Sequence, residues 1–218
     1  MKYVVGARGS KLSMAQTNWV ISELKKVNSD CEYEIKPITT KGDTDTRPLF
    51  TIEQKGIFEK EIDKAVAAKE IDFAVHSLKD VPSELADNLI IASIPKREKV
   101  NDVFISSDDS SLDKIKPGSV IGTSSLRRAV QISRQRSDVT VKPIRGNIET
   151  RINKTSGENY DAIVLAQAGI SRLGVDVNFT PLSVDDFSPS PGQGAIAIVA
   201  RTDDIQTIDM LKKIEDAD

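Results

Sequence analysis

Strands alternating with helices in two successive rounds predict an α/β protein of two similar lobes, each built on a largely parallel or mixed sheet. Three observations carry this. Short β-branched runs alternate with segments of helical periodicity. A charged stretch, Lys96 to Lys99, separates the two rounds. The junction Val4-Val5-Gly6-Ala7-Arg8-Gly9-Ser10 is echoed half a chain later by Val120-Ile121-Gly122-Thr123-Ser124-Ser125.

In the first round, Tyr3 to Ala7 is apolar and β-branched and reads as a buried strand. Leu12, Ala15, Trp19, Val20, Leu24 and Val27 then follow at helical spacing, with Ser13 and Gln16 expected to form a capping box. Tyr33, Ile35 and Ile38 mark a second strand, and Phe58, Ile62, Ala65 and Val66 a second helix. Ile71 to Val75 and Leu89 to Ile94 are strand-like. In the second round, Val103 to Ile105, Val120 to Ile121, Val139 to Ile144 and Ala162 to Leu165 read as strands. Ser125 to Arg136 and Gly146 to Thr155 read as helices. Pro189, Pro191, Gly192 and Gly194 form a turn-rich hinge. A strand, Ala195 to Ala200, and a closing helix, Ile205 to Ile214, complete the pattern, the helix burying Ile205, Ile208, Leu211 and Ile214.

Composition excludes several classes. A net charge of -3 argues against a general nucleic-acid binder, and 5% aromatic residues are too few for a base-stacking surface. Cys31 is the one cysteine and His76 the one histidine, so neither an intrachain disulfide nor a Cys/His zinc site is expected. The apolar run at the N-terminus is too short for a signal peptide or a membrane span, which points to a soluble cytoplasmic protein with no membrane partner.

Chemistry is expected where strands end and helices begin. Those points lie at the carboxyl edge of an α/β sheet, where ligands bind, and helix N-termini there attract anions. Arg127 and Arg128 fall in the first turn of an expected helix, where a cation is disfavoured by about 0.3–1 kcal/mol. A carboxylate or phosphate ligand would turn that conflict into a gain. Arg8, Arg145, Arg151 and Arg172 stand at comparable strand ends and helix starts. Lys79 and Asp80 follow the strand ending at Val75, so a carboxylate is expected beside the arginines, as a salt-bridge partner or as a stabiliser of a cationic intermediate. Phe58, beside Lys55 and Gly56, reads as core or as a pocket wall.

These residues carry a resemblance. Ala7-Arg8-Gly9-Ser10-Lys11-Leu12-Ser13-Met14-Ala15-Gln16, Thr40-Lys41-Gly42-Asp43, Lys55-Gly56-Ile57-Phe58 and His76-Ser77-Leu78-Lys79-Asp80-Val81-Pro82 resemble motifs of porphobilinogen deaminases, or hydroxymethylbilane synthases. So do Gly122-Thr123-Ser124-Ser125-Leu126-Arg127-Arg128, Ile144-Arg145-Gly146-Asn147-Ile148-Glu149-Thr150-Arg151, Ala166-Gln167-Ala168-Gly169 and Pro191-Gly192-Gln193-Gly194-Ala195. They run in family order across nearly the whole chain.

The resemblance implies two periplasmic-binding-protein-like lobes with an interlobe cleft. Lobe 1 would be residues 1–97 and 192–218, and lobe 2 residues 98–191. It implies a transferase of tetrapyrrole (haem) biosynthesis that joins four porphobilinogen units head to tail and releases ammonia from each. Each unit forms an azafulvene-type electrophile, and the terminal pyrrole of the growing oligopyrrole attacks it. A dipyrromethane cofactor primes the chain. Arg8, Arg127, Arg128, Arg145, Arg151 and Arg172 match positions that bind the acetate and propionate groups. Ser10, Thr123, Ser124, Ser125, Lys55 and Lys79 match positions that add hydrogen bonds or charge. Gly146 and Gln193 fall in the binding motifs, Phe58 matches a position packed on a pyrrole ring, and Asp80 matches the catalytic aspartate.

The family also has a smaller third domain with a Gly-Gly-Cys cofactor anchor. That domain, and with it the anchor cysteine, is expected to be absent from this chain, since Cys31 matches no anchor. A separate chain supplying the domain, a truncated sequence and a primer held without a covalent link all remain open. So does the alternative of a non-catalytic or partner-dependent binder of tetrapyrrole precursors.

Overall fold

A computed structural model describes residues 1–40, 59–157 and 159–217. In chain order the elements are β1 (Lys2–Arg8), α1 (Lys11–Val27), β2 (Glu32–Ile38), α2 (Lys60–Ala67), β3 (Phe73–Ser77), β4 (Leu89–Ser93) and β5 (Asp102–Ser106). There follow β6 (Val120–Gly122), α3 (Leu126–Gln135), β7 (Thr140–Lys142), α4 (Ile148–Asn153), β8 (Ala162–Ala166), α5 (Gln167–Leu173), β9 (Thr180–Pro181), β10 (Ile196–Arg201) and α6 (Ile205–Lys212). A 3-10 turn spans Leu78–Asp80. The described residues divide into two units: 1–40, 59–98 and 195–217 form the first, and 99–157 and 159–194 the second.

The sheet of unit 1 has the order β2-β1-β3-β10-β4. β1 is parallel to β2 and β3, whereas β10 runs antiparallel to β3 and β4. Its two faces follow from strand alternation. Val5, Phe73, Val75 and Ile198 pack with Val20 and Leu24 of α1 and with Ile208 and Leu211 of α6. Val4, Ala74 and Val199 pack with Ile62 and Val66 of α2. A sheet covered on both faces needs near-continuous apolar strands, and β10 is buried along its whole length. In α6, Met210 is buried while Ile205, on the first turn, is 61% exposed, so the expected stripe is shifted.

Unit 2 repeats the arrangement. Its sheet has the order β7-β6-β8-β5-β9, with β6 parallel to β7 and β8, and β5 antiparallel to β8 and β9. Phe104, Ile121, Ala162 and Val164 pack on one face with Ile132 of α3. Val103, Ile105, Ile163 and Leu165 pack on the other with Ile148 and Ile152 of α4 and Ile170 of α5. β1 and β6 thus occupy the same place in their sheets, and each leads into a helix capped by a serine, Ser10 or Ser125.

Several local expectations need correction. Ser13 and Gln16 do not form the capping box. Ser10 caps α1 by accepting from the Ser13 N–H at 3.3 Å. The Ser13 hydroxyl instead accepts from the Arg8 N–H at 3.0 Å, and Gln16 donates to Ser77 at 2.9 Å. The box fails because the helix begins at Lys11, which places Ser13 in its first turn. The strand expected over 139–144 shrinks to β7, since Pro143 lacks the N–H that would extend the ladder. The helix expected from Gly146 starts at Ile148, because Gly146 has φ +117°. α5 and β9 were not anticipated.

Gly6 and Gly122 mark the same point of the two repeats. A Cβ on Gly6 would run into Ile71 Cδ1 and lie 3.0 Å from Ile62 Cγ2, both in the core; at Gly122 it would lie 2.9 Å from Tyr160 Cδ1. A Cβ on Gly9 meets nothing within 4 Å. Gly6→Ala should therefore cost about 1–3 kcal/mol by overpacking. Gly9→Ala should change stability by less than about 0.5 kcal/mol. Urea unfolding of the two variants checks this; equal midpoints would contradict the packing assigned to Gly6.

Candidate functional site

Parallel strands share a carboxyl edge, and several of the expected site residues stand at the strand ends on those edges. In unit 1, β1 ends at Arg8 and β3 at Ser77. Arg8 and Ser10 therefore stand at the same sheet edge as Lys79 and Asp80, which lie exposed on the 3-10 turn after β3. The Gln16–Ser77 hydrogen bond ties the two junctions together. Beneath them His76 is buried against Asp63, Nε2 to Oδ1 3.0 Å. Lys55 and Phe58 lie outside the described residues, as does the Lys41-Gly42-Asp43 motif. Cys31 stands just before β2, whose amino end pairs with the start of β1, so it belongs to the opposite edge of this sheet.

In unit 2, β6, β7 and β8 end at Gly122, Lys142 and Ala166 on one edge. The hydroxyls of the β6 junction have internal partners. Thr123 Oγ1 accepts from the Ser125 N–H at 3.2 Å, and the Ser125 hydroxyl accepts from the Arg128 N–H at 3.4 Å. The Ser124 hydroxyl donates to the Ile144 carbonyl and accepts from the Ile144 N–H, which staples this junction to the β7 loop. That loop turns at Gly146, where a Cβ would clash with Thr150, and Asn147 then caps α4. Arg151 Nε donates to the Gly146 carbonyl at 2.7 Å, and Arg172 donates to the Gly194 carbonyl at 2.6 Å.

The helix-start conflict at Arg127 and Arg128 has an internal answer that the sequence reading missed. Asp102, the first residue of β5, is wholly buried. Its Oδ2 accepts from Arg127 at 2.7 Å, and its Oδ1 accepts from Arg128 Nη2 at 2.6 Å and Nε at 3.1 Å. Burial alone would raise the Asp102 pKa. The Arg128 charge and the hydrogen bonds from Arg128, Arg127 and Gln193 outweigh it and hold the carboxyl below its ordinary range. Gln193, expected among the binding residues, is itself fully buried and donates to Asp102 at 2.9 Å and to the Val100 carbonyl at 2.8 Å. The signal available in the sequence was an acid heading the apolar strand Val103-Phe104-Ile105, since a carboxylate there must be paired.

Further cations stand beside that pair. Burial lowers the Arg151 pKa, and the neighbouring charges of Arg128 and Arg145 lower it further. Like charges thus act on one another along this edge, an arrangement that a ligand with several carboxylates would relieve. A dipyrromethane bearing acetate and propionate groups fits that description. Among the described residues, no group of three or more His, Cys, Asp and Glu side chains could hold a metal ion.

Comparison with known proteins agrees in family and fold. The family described as "Porphobilinogen deaminase, dipyromethane cofactor binding domain" matches residues 3–209. A probable porphobilinogen deaminase of Nitrosopumilus maritimus is 82% identical over 218 residues, 100% of this chain and 70% of that protein. A porphobilinogen deaminase of Listeria innocua is 50% identical over 219 residues, 98% of this chain and 71% of that protein. Among solved structures, the L-cystine solute receptor of Neisseria gonorrhoeae has a TM-score of 0.55 at 10% identity, covering 98% of this chain and 84% of the receptor. That likeness concerns the fold alone, which is a two-lobed binding-protein fold.

The crowding makes a prediction. Arg151→Gln should raise the unfolding midpoint of the unliganded chain, because it removes like-charge repulsion and a desolvated cation. It should also shrink the rise in midpoint that a polycarboxylate produces. Thermal unfolding with and without a dipyrromethane acid measures both. A lower midpoint without ligand would mean that the Gly146 hydrogen bond outweighs the repulsion.

Proposed function

The chain belongs to the porphobilinogen deaminase family, and from that premise we propose that it joins four porphobilinogen units head to tail, with release of ammonia at each joining, until water frees the product as hydroxymethylbilane, using Asp80 and an arginine-lined edge. The observation that carries this reading is the crowding of Arg128, Arg145 and Arg151 on the carboxyl edge of the unit 2 sheet. Porphobilinogen and its oligomers carry an acetate and a propionate on every ring, so negative charge accumulates as the product grows. An edge that brings several guanidinium groups together suits such a ligand.

The roles divide by chemistry. Arg127, Arg145 and Arg151 bind carboxylates of the substrate and cofactor, and Arg8 and Arg172 extend that set. Arg128 is 7% exposed and acts largely through its charge. Thr123, Ser124 and Ser125 hold the junction that presents the arginines, while Ser10, Lys79 and Lys55 add hydrogen bonds or charge. When bound, the dipyrromethane supplies the pyrrole carbon onto which the first unit is joined. Asp80 accepts hydrogen bonds from pyrrole N–H groups and stabilises the positive charge that develops as ammonia leaves, and it takes up the proton lost after each coupling.

Cys31, in a turn whose side chain packs against the core cluster, has neither the motif nor the position of a primer anchor. Asp80, in its family motif, favours a catalyst over an idle precursor binder. Among the described residues no helix is long and apolar enough to cross a membrane. The reading assigns the enzyme to tetrapyrrole biosynthesis in the cytoplasm.

The test is turnover of porphobilinogen with dipyrromethane supplied, read as ammonia release and as formation of hydroxymethylbilane. Asp80→Asn should keep the fold and carboxylate binding and lower the rate by about 10²–10³-fold. Near-normal turnover by that variant would remove Asp80 from the chemistry. No ammonia release by the unaltered chain would remove the reading itself.

A further inference from the structure

We propose that Asp102 is a positioning residue for the carboxylate-binding arginines: it fixes the planes of Arg127 and Arg128 so that the edge of the unit 2 sheet is preset for acetate and propionate groups before any ligand arrives. This rests on the function proposed above and extends it to a residue outside the family motifs read in the sequence.

Three observations carry it. First, the carboxylate is held from several directions. Arg127 meets Oδ2, while Arg128 Nε and Nη2 and Gln193 all meet Oδ1. An ionised carboxylate with no exposure is tolerable only when paired in this way. Second, Gln193 also holds the Val100 carbonyl, so Asp102 is tied both to the segment entering unit 2 and to the segment leaving it. Its position is therefore fixed by the framework and does not depend on the arginines. Third, both arginines sit in the first turn of α3, where the helix dipole repels them. Without a fixed counter-charge, two long side chains would favour solvent, and a ligand would have to order them on binding.

The outcome is an asymmetric pair. Arg128 is bound to Asp102 and the Val164 carbonyl with 9% of its side chain exposed, and it serves as a buried anchor. Arg127 is held by Asp102 and the Ser188 carbonyl with 26% of its side chain exposed, so it stays within reach of a ligand. Arginine recognises carboxylates through a planar fork, so its orientation sets how well it binds. Presetting that orientation removes an ordering cost from the binding step.

The experiment titrates the chain with a dipyrromethane carrying free acetate and propionate groups, by calorimetry, alongside thermal unfolding. Asp102→Asn keeps the shape and removes the charge. It should weaken Kd on the order of 10–100-fold, as loss of an outer-shell partner does at other ligand sites. Asp102→Glu keeps the charge on a longer stem and should recover part of the loss. In turnover, KM for porphobilinogen should rise while kcat changes less than about threefold, because carboxylate binding serves substrate and transition state alike.

If Asp102→Asn and Asp102→Glu fail to fold, Gln193→Met carries the test. It leaves the carboxylate in place, removes one of its ties and should weaken Kd in the same direction. Wild-type affinity in folded Asp102→Asn or Gln193→Met overturns the proposal, including the case where only the unfolding midpoint falls. Failure of the unaltered chain to bind the dipyrromethane acid is a different result: it removes the function read from the site, and this proposal with it.

Discussion

Repulsion between guanidinium groups is the constraint on which the unit 2 edge depends. A ligand with a carboxylate on every side arm calls for concentrated positive charge, and concentrated charge opposes its own assembly. At an effective dielectric of about 20, two like charges 4 Å apart repel by about 4 kcal/mol. The fold contains that cost with elements that carry no positive charge. Asp102 takes two arginines. Carbonyls of Val164, Gly146 and Gly194 take donors from Arg128, Arg151 and Arg172. The repulsion leaves its trace at Arg151, on which the charges of Arg128 and Arg145 act. That residue of repulsion is what a polycarboxylate would relieve.

The same scaffold is used twice with different chemistry. Both sheets place a parallel strand at the centre of the functional edge and lead it through a glycine into a serine-capped helix. Gly6 and Gly122 are glycines because neighbouring core side chains approach those strands too closely for a Cβ. In unit 2 the edge gathers cations. In unit 1 the equivalent edge carries Arg8 together with the Lys79–Asp80 turn, underlain by the buried His76–Asp63 pair. The arginine-rich junctions and the Lys79–Asp80 turn thus belong to separate repeats of one plan.

Much of this was visible in the sequence. Apolar periodicity located β1, β3, β8 and β10, because strands buried on both faces leave unbroken runs such as Ile196 to Ala200. The repeated glycine–hydroxyl junction foretold the repeated topology, since its cause is local. Caps were less readable. Ser10 and Ser13 both qualify by composition, and only the direction in which the chain leaves β1 decides between them. Asp102 was not readable as a partner of Arg127 and Arg128. They lie 25 and 26 residues away, and the antiparallel pairing of β5 with β8 that brings them together is a tertiary event. The arginine-at-helix-start conflict has an answer inside the protein, the paired Asp102.

The central claim is that the carboxyl edge of the unit 2 sheet binds the carboxylates of an oligopyrrole. A crystal structure of the chain with an oligopyrrole bearing free acetate and propionate groups tests it most directly. The account predicts side-chain carboxylates within hydrogen-bonding distance of Arg145, Arg151 and Arg127, with Asp102 still paired to Arg127 and Arg128. An oligopyrrole bound on another face, with those guanidiniums turned to solvent, would contradict it.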